Sequence, residues 1–217
     1  LGHLTYAFHK DMYKELTITY SIFKEYSTEK LENNFSDLTG LTLEKYWAVS
    51  FALFASWGNQ DPSSYKTIID KNNYFENCSN VNDQEIEKVF KLLGGNLKLV
   101  QSINKETLEN FNKYPHNFEA IRIKPVIEIE KDNYICTSLP YLAHKITTGV
   151  LEDLRFNLGS IEYTDRIGEE VGNMYEDYVW DKIDSIYNQA TLNIAFNEIY
   201  KNTEIADAVI DYGEDLI

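Results

Sequence analysis

Through the first half of the chain apolar residues recur at helical spacing. Leu4, Phe8, Met12 and Leu16, with their apolar neighbours, predict a helix from Leu4 to Tyr26 that buries one face. The β-branched run Thr17-Ile18-Thr19 weakens that prediction at its middle, because such side chains lose rotamer freedom against the preceding helical turn. Ser27 or Thr28 is placed to cap a second helix through Phe35, with Leu38-Thr39-Gly40 as its stop. Thr42 is a good cap for a third, Leu43 to Trp57, whose centre from Tyr46 to Trp57 carries no charge. A membrane span needs about 20 such residues, so this stretch predicts a helix buried on most sides. Gly58 ends it, and Asn59-Gln60-Asp61-Pro62 reads as the loop that follows. A helix around Tyr65 to Ile69 comes next, then a capping-box start at Asn82 and Glu85 for a helix through Leu93, stopped by Gly94-Gly95. Residues 105–111 predict one further helix.

The period then changes. Ile121, Ile123, Ile127 and Ile129 alternate with Arg122, Lys124, Glu128 and Glu130, the pattern of a half-buried strand, and Pro125 suggests an edge position. Lys131-Asp132-Asn133 is turn-like, and Tyr134-Ile135-Cys136 returns as the partner strand. Ser138 as cap and Pro140 in the first turn start another helix, running to about Phe156. Asn157-Leu158-Gly159-Ser160 reads as a linker, Ile161 to Tyr187 contains a long helix, and the run Ala190 to Tyr200 fits helix or strand, with the alternation of Leu192, Ile194 and Phe196 favouring a strand. The fold class is therefore α+β and mostly α-helical: a helical region over 1–115, a small α/β linking unit over 116–158, and a third part over 159–217.

Charge and cysteine content narrow the function. The formal net charge of −15 argues against a chain whose main work is gripping phosphate backbones, which falls to Lys and Arg. The same acidity predicts no adhesion to anionic membrane. Two cysteines, Cys78 and Cys136, are too few for a disulfide framework or a zinc site, and a reduced, cytoplasmic protein is the natural expectation. His3, His9, His116 and His144 are scattered and read as surface or packing residues, and neither HExxH nor GxSxG occurs. Gly94-Gly95 with Lys98 lacks the spacing of a phosphate loop.

Candidate chemistry gathers in the last quarter. In the long helix, Val171, Met174, Tyr175, Tyr178, Val179, Ile183 and Ile186 fall on one face, with Glu169 and Glu176 at its border and Gly172 between them. A small residue there lets a backbone or ligand approach closely. Downstream, Asp207 opens the apolar segment Ala208-Val209-Ile210, Tyr212-Gly213-Glu214-Asp215 supplies a turn, and Leu216-Ile217 begins a second apolar run. Carboxylates on the rim of a buried face and at the head of a strand suit a hard cation that prefers oxygen.

This arrangement resembles the PD-(D/E)xK, or restriction-endonuclease-like, nuclease superfamily. Asp207 matches the first acidic residue, preceded by Ala206 where the family often has Pro. Gly172, Tyr175, Glu176, Tyr178 and Val179 match, in order, the helix that precedes the Asp strand. The resemblance implies the beginning of a restriction-endonuclease-like core over 159–217, a Mg²⁺ (or Mn²⁺) site held by Asp207 and Glu176, and hydrolysis of phosphodiester bonds in nucleic acid, with DNA the expected substrate. The Glu-x-Lys half of the motif would follow Ile217, so the sequence reads as an inactive piece of a longer enzyme. The alternative from another class is an acidic helical protein-interaction or sensor module without catalysis, whose acidic surface docks a basic protein partner; under either reading a protein partner or a homo-oligomer is open.

Overall fold

The computed structural model describes residues 2–58, 67–76, 78, 80–102, 119–186, 193–200 and 203–211; the side chains of 2–11, 15, 153, 156, 157, 160, 184, 186 and 193–211 lie outside the description. It is mostly helical with a small mixed sheet, the α+β class expected. Two compact units divide the chain, Leu1–Val171 and Gly172–Ile217.

In the first unit, α1 (Gly2–Tyr26) runs unbroken through Thr17-Ile18-Thr19. Thr17 Oγ1 donates to the Tyr13 carbonyl one turn back at 2.8 Å, so its hydroxyl is satisfied within the helix. Thr28 caps α2 (Glu29–Thr39), accepting from the Leu31 amide, and Gly40 closes it in the left-handed region at φ 70°. In α3 (Leu43–Gly58) the uncharged centre is buried as expected: Tyr46, Trp47, Val49, Ser50, Leu53, Phe54 and Trp57 all lie inside. Trp47 takes edge-on contacts from Phe23 and Tyr20 of α1, at 5.2 and 5.3 Å between ring centres.

The sheet runs in the order β1 (Ile68–Asp70), β4 (Asn133–Cys136), β3 (Val126–Glu130), β2 (Gly94–Asn96). Its β3–β4 pairing is the hairpin expected around Lys131-Asp132, and β2 joins β3 in parallel. Three local expectations are corrected. Ile68 and Ile69 belong to a strand, not a helix; the helix α4 (Lys71–Phe75) starts only after Asp70 has capped it. Glu119–Ile123 forms a helical turn, α7, and the strand begins at Val126. Pro125 lies just outside β3, an interior strand, so its missing N–H costs the ladder nothing, and its carbonyl accepts from the Thr137 amide at 2.8 Å. The capping box at Asn82 and Glu85 starts α5 (Asp83–Leu93) as its sequence requires. Gly94 then enters β2, where an added Cβ would stand 2.7 Å from the Val126 carbonyl oxygen, so only glycine fits this strand approach. Residues 97–102 are helical (α6), and Val100, Ala120 and Ile127 form the small core on this side of the sheet. The helix expected at 105–111 and the boundary at 115/116 lie outside the described residues.

Ser138 and Pro140 start α8 (Leu139–His144), which continues through a π-helical turn, Lys145–Gly149, into α9 (Val150–Leu158). Tyr46 and Trp47 of α3 donate to the carbonyls of Lys145 and Ile146 in that π turn, at 2.7 and 3.1 Å. Gly159 is a single break rather than a linker, followed by α10 (Ser160–Tyr163), a second π turn (Thr164–Gly168) and α11 (Glu169–Ile186). In the second unit, β5 (Asn193–Tyr200) and β6 (Thr203–Asp211) form an antiparallel hairpin.

Candidate functional site

Glu176 lies on an exposed position of α11, and its Oε1 accepts a hydrogen bond from Trp180 Nε1 at 3.2 Å. The apolar face predicted around it is formed in part: Met174 is fully buried, Tyr175, Tyr178 and Ile183 are half-buried, and Val179 is 46 % exposed. Gly172 is not demanded by a neighbouring element, since an added Cβ meets no atom within 4 Å. The helix surface beside Glu176 is open instead.

Asp207 does not open its strand. It falls in the middle of β6, between the paired positions Ala206–Glu198 and Ala208–Phe196, and the hairpin is built with β5 upstream. The turn expected at 212–215 and the run at 216–217 lie outside the described residues, as does the Asp207 side chain. Asp is depleted from strands, and pairing with β5 overrides that preference here. The register slips between Glu198 and Ile199, so that Ile205 is the extra residue of a bulge two positions before Asp207. Such bulges concentrate next to active sites, where they re-aim a side chain. Glu176 and Asp207 thus belong to one compact unit, a helix followed by a two-stranded ladder. Among the described residues no three His, Cys, Asp or Glu side chains gather in metal-binding geometry.

Among the described residues of α11 the buried carboxylate is Glu170, 8 % exposed, which the sequence did not single out. It receives the Thr28 hydroxyl at 2.5 Å and Lys30 Nζ at 2.7 Å. These two bonds outweigh desolvation and hold its carboxyl below the ordinary Glu range. Its role is to pin the start of α11 to the start of α2.

A second constellation lies along the continuous helix α8–α9. His144, Thr148 and Glu152 stand four residues apart, a spacing readable in the sequence once this run is known to be one helix. Thr148 Oγ1 is 3.3 Å from His144 Nδ1, and His144 Nε2 is 3.5 Å from Glu152 Oε2. Arg122 of α7 donates to the same Glu152 oxygen at 2.7 Å. Partial burial raises the Glu152 carboxyl, but the Arg122 bond and the neighbouring His144 and Arg122 charges outweigh it and leave the group below its usual range. Four of the five residues in the π turn are buried, and Thr148 alone reaches solvent.

Among known proteins, no family model, curated protein or solved structure matches the chain. No described helix is long and apolar enough to cross a membrane.

Proposed function

We propose that this chain supplies Asp207 and Glu176 to the metal site of a nuclease of the PD-(D/E)xK kind, acting on phosphodiester bonds with DNA as the substrate class. The observation that carries the reading is the placement of Asp207 in mid-ladder beside a bulge, in the same compact unit as the Glu176 helix. A strand interior that tolerates Asp against its own preference is where local rules give way to function.

Glu176 fits a hard cation: it is a solvent-facing carboxylate on a helix whose surface is open at Gly172, and Mg²⁺ or Mn²⁺ takes such oxygens readily. Bound there with Asp207, the ion would orient a water and neutralise charge on the scissile phosphate. The two carboxylates would position the cation, and Trp180 would steady Glu176 through its indole N–H.

One observation favours a second reading. Glu169, Glu176, Asp177 and Asp181 are all exposed along α11, and this acidic surface would also suit a basic protein partner. Divalent-metal binding separates the two. In calorimetry with Mn²⁺, the nuclease reading expects saturable binding that Asp207→Asn and Glu176→Gln each weaken at least about tenfold, the scale of losing one ligand interaction. Binding absent, or unaltered by both substitutions, would leave the docking module.

A further inference from the structure

We propose that Thr148, His144 and Glu152 form a second, independent catalytic site, a hydroxyl–imidazole–carboxylate chain that cleaves small acyl esters. Glu152, ionised at neutral pH and held by Arg122, can only accept a hydrogen bond, so the His144 proton belongs on Nε2, the nitrogen facing it. Nδ1 is then left as a lone-pair acceptor, and the group within reach of it is the Thr148 hydroxyl. That is the electronic arrangement of an activated nucleophile: a hydroxyl on a base, and the base oriented by a third group. At 3.3 and 3.5 Å the contacts are longer than ordinary hydrogen bonds, as catalytic contacts often are before substrate binds.

The backbone is shaped for this chain. The π turn directs Lys145, Ile146, Thr147 and Gly149 inward and leaves Thr148 at the surface beside His144, and π turns inside α-helices recur at functional sites. An added Cβ at Gly149 would stand 3.0 Å from the His144 carbonyl oxygen and 3.1 Å from His144 Cδ2, so glycine relieves crowding against the imidazole on this side.

In the reaction, Thr148 Oγ1 attacks the ester carbonyl carbon while its proton passes to His144 Nδ1 and the carbonyl electron pair moves onto oxygen. Collapse breaks the bond to the alkoxide, which leaves with the proton from Nδ1. Water then attacks the acyl-threonine, giving its proton to Nδ1; the Thr148 oxygen departs and takes that proton, and a carboxylic acid is released. Glu152 is a positioning residue that holds the tautomer and stabilises the imidazolium, and Arg122 holds Glu152.

The test uses the whole chain with p-nitrophenyl acetate, and His116→Gln to gauge the background from an unrelated imidazole. The expected result is a burst of p-nitrophenolate stoichiometric with protein, an acetyl group on Thr148 in peptide mass spectrometry, and loss of about 100-fold or more in rate for Thr148→Ala at unchanged melting temperature. Thr148→Ser keeps the activity, and ¹⁵N NMR finds His144 Nδ1 unprotonated, a state that Glu152→Ala disturbs. The proposal is overturned by absence of acetyl-Thr148, by a Thr148→Ala rate equal to wild type, or by a proton on Nδ1.

Discussion

The π turn at Lys145–Gly149 exposes backbone carbonyls inside the protein, and α3 answers two of them with side chains. Tyr46→Phe removes the donor to the Lys145 carbonyl while the ring keeps its packing, including the tilted contact with Phe35 at 5.8 Å. Tyr46 is completely buried, and its hydroxyl reaches the Lys145 carbonyl at 2.7 Å, so water does not simply replace it. Taking the donor from a buried carbonyl costs about 1–3 kcal/mol. For a chain of this size that corresponds to a fall of roughly 2–12 °C in melting temperature. In guanidinium titrations the midpoint falls while the slope is unchanged, since the surface exposed on unfolding is the same. Tyr13→Phe is the control: that hydroxyl donates to Gly58 at 3.4 Å from a residue 41 % exposed, and its loss stays within about 0.5 kcal/mol. If Tyr46→Phe is as stable as Tyr13→Phe, the carbonyl has another partner and the account of how α3 holds the π turn is wrong.

Other outcomes follow from single sites. Gly172→Ala raises stability by about 0.5–1 kcal/mol, because the site is an open helix interior, and a lowered melting temperature contradicts that. Glu170 has a depressed carboxyl, so its contribution is complete above its ordinary value of 4.5 and is lost as pH falls through its lower folded value. Glu170→Gln is therefore less stable than wild type at pH 7, and the gap closes in acid; a gap independent of pH contradicts the ion-pair account. Burial pushes the Cys136 thiol up to about 11, whereas Cys78 is exposed. With a thiol reagent at pH 8, Cys78 reacts first and Cys136 slowly, and Cys78→Ser abolishes the fast phase.

Local chemistry was the legible part of the sequence. Thr28, Thr42, the Asn82–Glu85 box, Ser138 with Pro140, and Gly40 each act within one helical turn, and each placed its element correctly. What failed depends on partners far along the chain. Strands β1 and β2 are three residues each, and only pairing with β4 and β3 makes them strands. Ile121 and Ile123 alternate like a strand, yet Glu119–Ile123 forms a helical turn that buries Ala120 and leaves both isoleucines half-buried, an outcome their spacing does not announce. The site was legible as residue types rather than as geometry. Asp207 read as a strand opening because Asp is a poor strand residue, whereas β5 pairs straight past it. His144 read as an ordinary surface residue because the π turn that sets it beside Thr148 and Glu152 has no sequence signature.

The most direct test of the nuclease reading is DNA cleavage by protein expressed from the complete gene, with Mg²⁺ and with chelator, for wild type, Asp207→Ala and Glu176→Gln. The account predicts Mg²⁺-dependent cleavage, abolished by chelator and reduced by about 100-fold or more in Asp207→Ala, the scale of losing a group that stabilises the transition state. Cleavage undiminished in Asp207→Ala, or no cleavage by the wild-type protein with Mg²⁺ or Mn²⁺, would contradict it.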